Sequence, residues 1–260
     1  MAIVSFLSAK GSPGATTAAL LSAALWPREV LVLDADPAGG DVAARLPGAD
    51  GGVLDAEQGL LGLLTSARRG LGAQQLLAGA QPAAGGTAVV CGLTRPEQAG
   101  AAAGSWPALT DAAAALGTAG TDVVVDAGRV TTEPVHLPLL RGSDVVVLVL
   151  RDDVASVLHA RERLAALGTS LRRADGLLPR TGVLVVCDAR RGDGDQAAGV
   201  LRGVGAWVED FGRLPLDPAG ARVFDGARTA RPERTALVRA GRTVVAALVA
   251  AAGGGQRRAA

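Results

Sequence analysis

The 260-residue sequence has few of the side chains that carry most disulfide, metal and nucleophilic chemistry. It contains two cysteines, two histidines, no tyrosine, no asparagine and a single lysine, Lys10. Cys91 and Cys187 each end an apolar run, which excludes a disulfide scaffold and predicts buried thiols in a reducing compartment. His136 and His159 have no Cys, Asp or His at ligand spacing, so both are interpreted as structural residues.

Long hydrophobic segments are also missing. The first residues lack a basic leader and an adequate apolar stretch, so no signal peptide is expected. The apolar run TVVAALVAAA near the end is about half the length of a membrane span. These absences predict a cytoplasmic protein that is at most peripheral to a membrane, with a cell pole as one such position.

Charge of one sign does not dominate the chain, but it is unevenly distributed. The net charge is +1, whereas the segment from Arg222 onward carries eight Arg against Asp225 and Glu233. Such asymmetry is typical of contact with DNA or an anionic membrane surface, and also of a solvated helix face. The sequence leaves these interpretations open.

Short apolar runs alternate with longer helical patterns along the chain. The predicted strands are residues 2–8, 30–34, 87–91, 122–126, 144–150 and 182–187, with 206–210 as a further candidate. The predicted crossover helices include residues 16–25, 107–116, 154–167 and 233–251, and residues 78–86 are predicted to form a loop. Uninterrupted apolar strands are typical of a sheet buried on both faces.

These patterns predict an α/β fold, in which a doubly wound, mostly parallel sheet is flanked by helices. No linker divides the chain, and 49% hydrophobic residues suffice for a full core. We expect one domain over residues 1–252 and a disordered tail over residues 253–260.

A glycine-rich segment follows the first predicted strand directly and precedes a helix. It consists of Lys10, Gly11, Ser12, Pro13, Gly14, Ala15, Thr16 and Thr17. This arrangement presents backbone N–H groups and a positive helix end to a phosphate. In the ordinary P-loop pattern G-x-x-x-x-G-K-[ST], Gly14 and Thr16 match, whereas Ala9 and Ala15 replace the first glycine and the lysine.

Two aspartate-containing segments follow later strands. They read Asp34-Ala35-Asp36-Pro37-Ala38-Gly39 and Val125-Asp126-Ala127-Gly128. With Lys10 before the first loop glycine, the three segments resemble the MinD/ParA family of P-loop ATPases, of the SIMIBI class. That family has a deviant Walker A loop, K-G-G-x-G-K-T-[ST], a D-x-D-P-x-G segment and a strand that ends in D-x-G. Leu214-Pro215-Leu216-Asp217 resembles its I-P-x-D segment, and the likeness extends over nearly the whole chain.

The resemblance implies a site for ATP and Mg²⁺. It implies nucleotide contacts from the whole loop, Lys10 to Thr17, with Pro215 and Asp217 near the adenine. Cys187 or Asp188 would stand where relatives often have a base-facing Asn.

Metal binding and catalysis are implied for the same site. Thr16, Asp36 and Asp126 would hold Mg²⁺, with Asp34 in support. Asp36 would also lie near the attacking water, and Gly128 near the γ-phosphate. Lys10 would reach across a nucleotide-sandwiched homodimer to the partner's phosphates.

Ala15 predicts a weakened site. Removing one partner of a buried charged contact costs about 3–5 kcal/mol, which corresponds to a loss of roughly 100- to 1,000-fold or more in affinity. Phosphoryl transfer depends on charge stabilisation, so the chain is expected to be at most a weak ATPase, or a pseudo-ATPase.

Several functions are compatible with this degenerate loop. One is a regulatory or localising protein similar to the lysine-deficient TadZ/CpaE-like proteins, which position a pilus or secretion apparatus. Others are an active ParA-like ATPase that partitions chromosomes or plasmids, a metabolic ligase of the same class, and a nucleotide-free scaffold. Helical leucines 60, 61, 63 and 64 are interpreted as core, with a partner-binding face as the alternative.

Overall fold

A sheet of eight strands with helices on both faces forms the centre of the computed structural model, which describes residues 2–67, 70–188, 194–227, 231–254 and 257–258. The strands in chain order are β1 (Ile3–Ser8), β2 (Val30–Asp34), β3 (Gln81–Pro82), β4 (Ala88–Val90), β5 (Asp122–Arg129), β6 (Val145–Arg151), β7 (Leu177–Leu178), β8 (Arg180–Cys187), β9 (Val208–Pro215) and β10 (Arg257–Arg258). Across the large sheet the order is β3-β4-β2-β5-β1-β6-β8-β9, and β10 pairs separately with β7. Its pairs are parallel except the antiparallel pair of β3 and β4. The predicted fold class is therefore confirmed.

Helices connect these strands. They are α1 (Ala15–Ala24), α2 (Val42–Arg45), α3 (Leu60–Ser66), α4 (Ala73–Ala78), α5 (Pro96–Ala101), α6 (Trp106–Thr118), α7 (Leu137–Gly142), α8 (Val154–Ser170), α9 (Gly194–Arg202), α10 (Pro218–Ala221) and α11 (Ala236–Gly253). The crossover helices predicted from the sequence correspond to α1, α6, α8 and α11. The predicted loop at residues 78–86 contains the end of α4 and the short edge strand β3.

Two apolar clusters cover the two faces of the sheet. One lies under α3 to α9 and includes Leu60, Trp106 and Leu164, all of them fully buried. The other lies under α1, α2 and α11 and includes Leu21 and Leu248. Burial on both faces explains why the central strands are continuous runs of Val and Leu rather than alternating patterns. The leucines of α3 belong to the first of these two clusters, and three of the four are buried.

Helix α11 docks on the sheet with its apolar side. Leu237, Val244 and Leu248 are buried, while Arg239 and Arg242 are exposed. By length and composition alone this helix could also cross a membrane. Its buried face contacts β9 and α1, which accounts for its apolar composition by packing in the core.

The end of the chain is described only in part. Gly253, where the predicted tail begins, is the last residue of α11, and Arg257–Arg258 lie antiparallel to Leu177–Leu178. Residues 255, 256, 259 and 260 lie outside the described residues, and disorder of the tail stays a prediction.

Asp122 at the start of β5 ties the first strand to the loop after α1. Its carboxylate is 1% exposed and accepts hydrogen bonds from the Ala2 N–H and the Trp26 Nε1–H, both at 2.7 Å. Arg28 contacts the same carboxylate through Nε at 2.7 Å and Nη2 at 2.6 Å. This cluster lies where β1 and β5 begin, at the end of the sheet opposite to the strand ends that carry the candidate site.

We expect Asp122→Ala to lower the free energy of unfolding by about 2–4 kcal/mol, because two buried donors lose their acceptor. Urea denaturation measures the change. Asp111→Ala is the matched control, since Asp111 is exposed on α6, and it is expected to change stability by less than about 0.5 kcal/mol. Equal stabilities of the two variants would contradict the assigned role of Asp122.

Candidate functional site

The turn between β1 and α1 has the backbone geometry of an anion cradle. Gly11 and Gly14 have φ values of 70° and 103°, in the region that favours glycine. The first hydrogen bond at the start of α1 runs from the Ala18 N–H to the Gly14 carbonyl, at 2.9 Å. The N–H groups of Ala15, Thr16 and Thr17 therefore have no partner within the helix, and no side chain caps it.

An open cavity of about 560 Å³ lies against this turn. Its wall includes the loop from Gly11 to Thr17, together with Asp36 and Asp126. Pro13 is buried and forms part of the wall without filling the space. A Cβ added at Gly11 or Gly14 would meet nothing within 4 Å, so the space in front of both glycines is open.

The cavity lies where the central strands end, because the register aligns their last residues. Asp34 of β2 stands directly opposite Asp126 of the parallel neighbour β5. In the sheet, β5 lies directly beside β1 and β2 lies on the far side of β5. The end of β1 leads into the glycine-rich turn. Ligands of open α/β sheets bind in this crevice beyond the carboxyl ends of the strands.

Asp34 is fully buried and supports the segment that follows it. Its Oδ2 accepts a hydrogen bond of 3.2 Å from the Val42 N–H, at the first residue of α2. Gly40 and Gly92 pack against the carboxylate so closely that a Cβ at either would collide with it. Burial, followed by the charge of Asp126, raises its pKa well above the ordinary value.

Asp126 lies beneath the start of α1. The residue is 1% exposed, the Thr16 side chain lies beside it, and its carboxylate accepts a hydrogen bond from the Gly128 N–H at 3.1 Å. Burial is the main cause that raises its pKa to about 6, and the nearby carboxylates of Asp36 and Asp41 add to the shift. Two buried carboxylates thus lie side by side on neighbouring strands, and that of Asp126 lines the cavity.

Asp36 reaches the same cavity from the segment after β2. Its Oδ1 accepts a hydrogen bond from the Ala38 N–H at 2.8 Å, and burial raises its pKa, although Arg129 lowers it. The carboxylate packs on Gly128, where φ is 58° and a Cβ would collide with it. Glycine at this position therefore allows the two aspartate segments to approach each other.

These residues fit a phosphate-bound Mg²⁺. Hard oxygen donors suit this ion, which usually keeps several waters and takes few protein ligands beside substrate phosphates. Thr16, Asp36 and Asp126 all line the cavity. Among the described residues there is no group of three His, Cys, Asp or Glu side chains that could hold a metal alone, so phosphate oxygens would have to complete the shell.

A second, more apolar slot of about 280 Å³ adjoins the loop on its other side. Pro13, Gly14 and Thr17 form one wall, and Pro215 and Asp217 form part of the other. Both carboxylate oxygens of Asp217 are occupied, because they accept from the Gly220 N–H at 2.9 Å and the Leu237 N–H at 3.2 Å. Asp217 therefore fixes the starts of α10 and α11 at the rim of the slot.

Residues that the sequence reasoning missed also line this slot. They include Val186 and Arg151, whereas Cys187 and Asp188 are not among its described lining residues. The Asp188 N–H instead donates to Asp152 Oδ2 at 3.1 Å. A base-facing position at residue 187 or 188 thus has no support in the geometry of this slot.

The side chain of Lys10 points away from the cavity of its own chain. Its Nζ lies 3.2 Å from His159 Nε2 on α8, and it lines a neighbouring depression with Arg129 and Arg163.

The other histidine, His136, is fully buried with its ring centroid 5.8 Å from that of Trp106, and burial lowers its pKa to about 4.

Both cysteines are free thiols. Burial raises the pKa of Cys91 to about 11, whereas Cys187 is only partly buried, so the predicted burial is complete for the first alone.

Two arginines of the cavity were not anticipated from the sequence. Arg45, the last residue of α2, lines the cavity and donates from Nη2 to Thr17 Oγ1 at 3.1 Å. Arg129 lines it from the end of β5. The chain has 26 basic residues, of which one is Lys, so an arginine is not distinctive by its residue type. The one sequence signal for Arg45 is its spacing of four residues from Asp41, which allows an ion pair along α2.

The raised pKa of Asp126 predicts a pH dependence. A carboxyl whose pKa is higher in the folded state stabilises the fold below about pH 4, and this contribution is lost as the pH rises through about 6. Asp126→Asn keeps the hydrogen-bond acceptor and removes the charge. We expect the variant to gain about 2–3 kcal/mol over the wild type between pH 4 and pH 7.

Urea denaturation across this pH range measures the difference. Asp111→Asn, on the exposed side of α6, is the control and should show no such trend. A constant difference between wild type and Asp126→Asn at all pH values would contradict the assigned burial of charge.

Comparison with known proteins supports the fold. Neither a protein-family model nor a curated protein matches the chain in sequence. Among solved structures, a ParA family ATPase from Chlorobium tepidum aligns with a TM-score of 0.71 at 16% identity, over 94% of this chain and 98% of that one. The septum site-determining protein MinD from Pyrococcus horikoshii, complexed with Mg-ADP, aligns at 0.62 and 16%, over 94% of each chain.

The Cyanothece McdA(D38A)–ATP complex also aligns, with a TM-score of 0.71 at 14% identity over 96% of each chain. At these identities the likeness establishes architecture rather than activity. The chain has the fold of the MinD/ParA type of P-loop NTPases.

Proposed function

We propose that the chain is a MinD/ParA-like regulatory or localising protein that binds Mg-ATP weakly and hydrolyses it slowly or not at all. The observation that carries this proposal is the open cavity between a glycine turn with free amides and the carboxylates of Asp36 and Asp126. Two of the structural neighbours were solved with adenine nucleotides, one of them with Mg²⁺.

The chemistry of the wall supports a polyphosphate ligand. The N–H groups of Ala15, Thr16 and Thr17 would donate to phosphate oxygens, and the positive end of α1 favours the negative charge. Thr16, Asp36 and Asp126 would hold Mg²⁺, whose charge offsets that of the carboxylates and the phosphates. The base and ribose would occupy the apolar slot beside Pro215 and Val186.

Ala15 accounts for the weak affinity. Its side chain is 7% exposed and lines the cavity, so the position itself still faces the ligand space. A methyl group there offers no hydrogen bond and no charge to the phosphates. Binding would depend on amides, Mg²⁺ and groups outside the loop, and transfer of the terminal phosphoryl group would lack the loop cation that stabilises its transition state.

Lys10 supports a homodimer with the nucleotide between the two subunits. The side chain is exposed and lies beside the cavity rather than in it, and its one described polar contact, with His159, is on the surface, so its ammonium group can exchange that contact for one with a second copy. Such a dimer would make the protein a nucleotide-dependent switch. The degenerate loop favours the positioning role of TadZ/CpaE-like proteins, in the cytoplasm and peripherally at a membrane or cell pole, with a pilus or secretion apparatus as partner.

A partition ATPase is the second candidate. Arg239 and Arg242 are exposed on α11, which favours contact with DNA or an anionic membrane. DNA retention that requires ATP and falls steeply with salt would support this candidate, whereas no retention at low salt would exclude it. A scaffold without nucleotide is a further alternative, and the nucleotide measurements below decide it.

We expect titration calorimetry to show Mg-ATP binding in the submillimolar to millimolar range, and sedimentation to show dimers only with Mg-ATP. Lys10→Ala should keep monomer folding and lose ATP-dependent dimerisation, because the partner's phosphates lose their contact in trans. His159→Ala is the control, since it removes the neighbour of Lys10 in the same chain. No binding at millimolar Mg-ATP would overturn the proposed function.

Restoring the loop lysine provides an independent test. Ala15→Lys should tighten Mg-ATP binding roughly 100- to 1,000-fold, the reverse of losing a buried charged contact. Ala15→Met is the control, because it adds a chain of similar length without charge. An Ala15→Lys variant that binds no better than Ala15→Met would show that the loop does not hold phosphates.

A further inference from the structure

Arg45 occupies an unusual place for a charged residue at the end of a short helix. Its guanidinium is directed toward α1, where Nη2 donates to Thr17 Oγ1 at 3.1 Å, and the side chain is 21% exposed. It lines the same cavity as the glycine turn and the two aspartates. Core packing does not require an ionised group here, since the neighbouring α2 residues Val42 and Ala43 supply the buried contacts.

Two carboxylates hold the arginine in this position. Asp225 Oδ1 accepts from its Nε at 2.8 Å, and Asp41 Oδ1 lies 4.0 Å from Nη1. The start of α2 is fixed in turn by buried Asp34, which accepts from the Val42 N–H. The guanidinium is therefore oriented before any ligand arrives, which lowers the entropic cost of binding.

The charge of the cavity explains what this arrangement can do. Asp36, Asp41 and Asp126 contribute negative charge to its wall, while Arg45 and Arg129 are the cationic side chains among its described lining residues. Arg129 is exposed and faces Asp36. Arg45 alone of the two is hydrogen-bonded to a residue of the glycine-rich loop.

We propose that Arg45 binds the phosphates of a nucleoside di- or triphosphate from within the same chain, and so supplies the cation that Ala15 removes from the loop. This inference rests on the proposed nucleotide-binding function. A phosphate oxygen bound by the Thr17 N–H lies next to the Thr17 hydroxyl, and hence next to the guanidinium that already contacts it. The planar fork of Arg gives two parallel hydrogen bonds to a phosphate, so one nitrogen can keep Thr17 while the other donates to the ligand.

This placement changes the geometry of the contact compared with a loop lysine. The cation enters from α2, behind the second threonine of the loop, rather than from the loop backbone. It depends on the segment after β2, which also carries Asp36. Phosphate binding by Arg45 would thus connect the ligand to the aspartate segment and, through Asp225, to the residues before α11.

Calorimetry with Mg-ADP and with inorganic tripolyphosphate tests the proposal on the full chain. Arg45→Gln should weaken both ligands roughly 10- to 100-fold, the loss of one or two hydrogen bonds from a charged donor. Arg45→Lys should recover part of the affinity, because it keeps the charge but lacks the planar fork. Arg242→Gln, which removes the same charge from the exposed side of α11, should bind like the wild type.

A double variant measures whether the two cations replace each other. Ala15→Lys should improve affinity by a larger factor in the Arg45→Gln background than in the wild type, because the lysine then restores a missing charge. Equal factors in both backgrounds would mean that Arg45 and residue 15 contribute independently of each other, and would overturn the proposal that Arg45 supplies the cation that Ala15 removes.

The other outcomes are equally distinct. If the wild type binds and Arg45→Gln binds as well, the inference about Arg45 falls while the proposed function stands. If the wild type binds neither ligand at millimolar concentration, both fall together. If Arg45→Gln lowers the unfolding midpoint without ligand, its weaker binding could come from the loss of stability, and Arg45→Lys then decides. A lysine variant that is as stable as the wild type but binds the ligands as weakly as Arg45→Gln would overturn the role of the charge.

Discussion

The left-handed backbone at Gly11 and Gly14 is the constraint on which the site depends. It turns the chain from β1 into α1 within a few residues and leaves the first N–H groups of the helix without a partner inside the helix. Any residue with a Cβ would be strained at these φ values, although there is space for its side chain. The backbone conformation therefore accounts for glycine at both positions. Because neither glycine has a side chain, the space in front of the turn stays open.

Uncompensated negative charge is the second feature of the site. Asp34 and Asp126 face each other across neighbouring parallel strands, buried beneath the loop, and Asp36 closes on them above Gly128. Burial raises the pKa of all three, so the fold bears an electrostatic cost at neutral pH. Strain of this kind is expected where a cation or a proton is to be bound, and it is hard to explain in a relic scaffold.

Much of this could be read from the sequence, since it depends on local patterns. Continuous Val and Leu runs predicted the strands because both faces of the sheet are covered, and the candidate 206–210 overlaps the first residues of the longer strand β9. The loop and the two aspartates were located by their positions after strands, and the structure brings them to one cavity. The place of Asp217 near the adenine stays a prediction; Asp217 lines the apolar slot, and its carboxylate accepts hydrogen bonds at two helix starts.

The parts that escaped prediction depend on tertiary crossings. Arg45 reaches Thr17 and Asp225, which are 28 and 180 residues away in sequence, and no periodicity reveals such contacts. Arg151 enters the slot from the end of β6 for the same reason. The short helices α2, α5 and α7 carry too few residues for a periodic signal, and only the packing of the longer elements around them defines their place.

The proposed function requires that a turn with Ala15 in place of a lysine binds phosphate through backbone amides. Titration of the protein with Mg-ADP, followed by backbone amide NMR, tests this most directly because it detects millimolar binding residue by residue. The account predicts saturating shifts at Gly11, Gly14, Ala15, Thr16 and Thr17. No shift in this turn at millimolar Mg-ADP, or shifts confined to other surfaces, would contradict it.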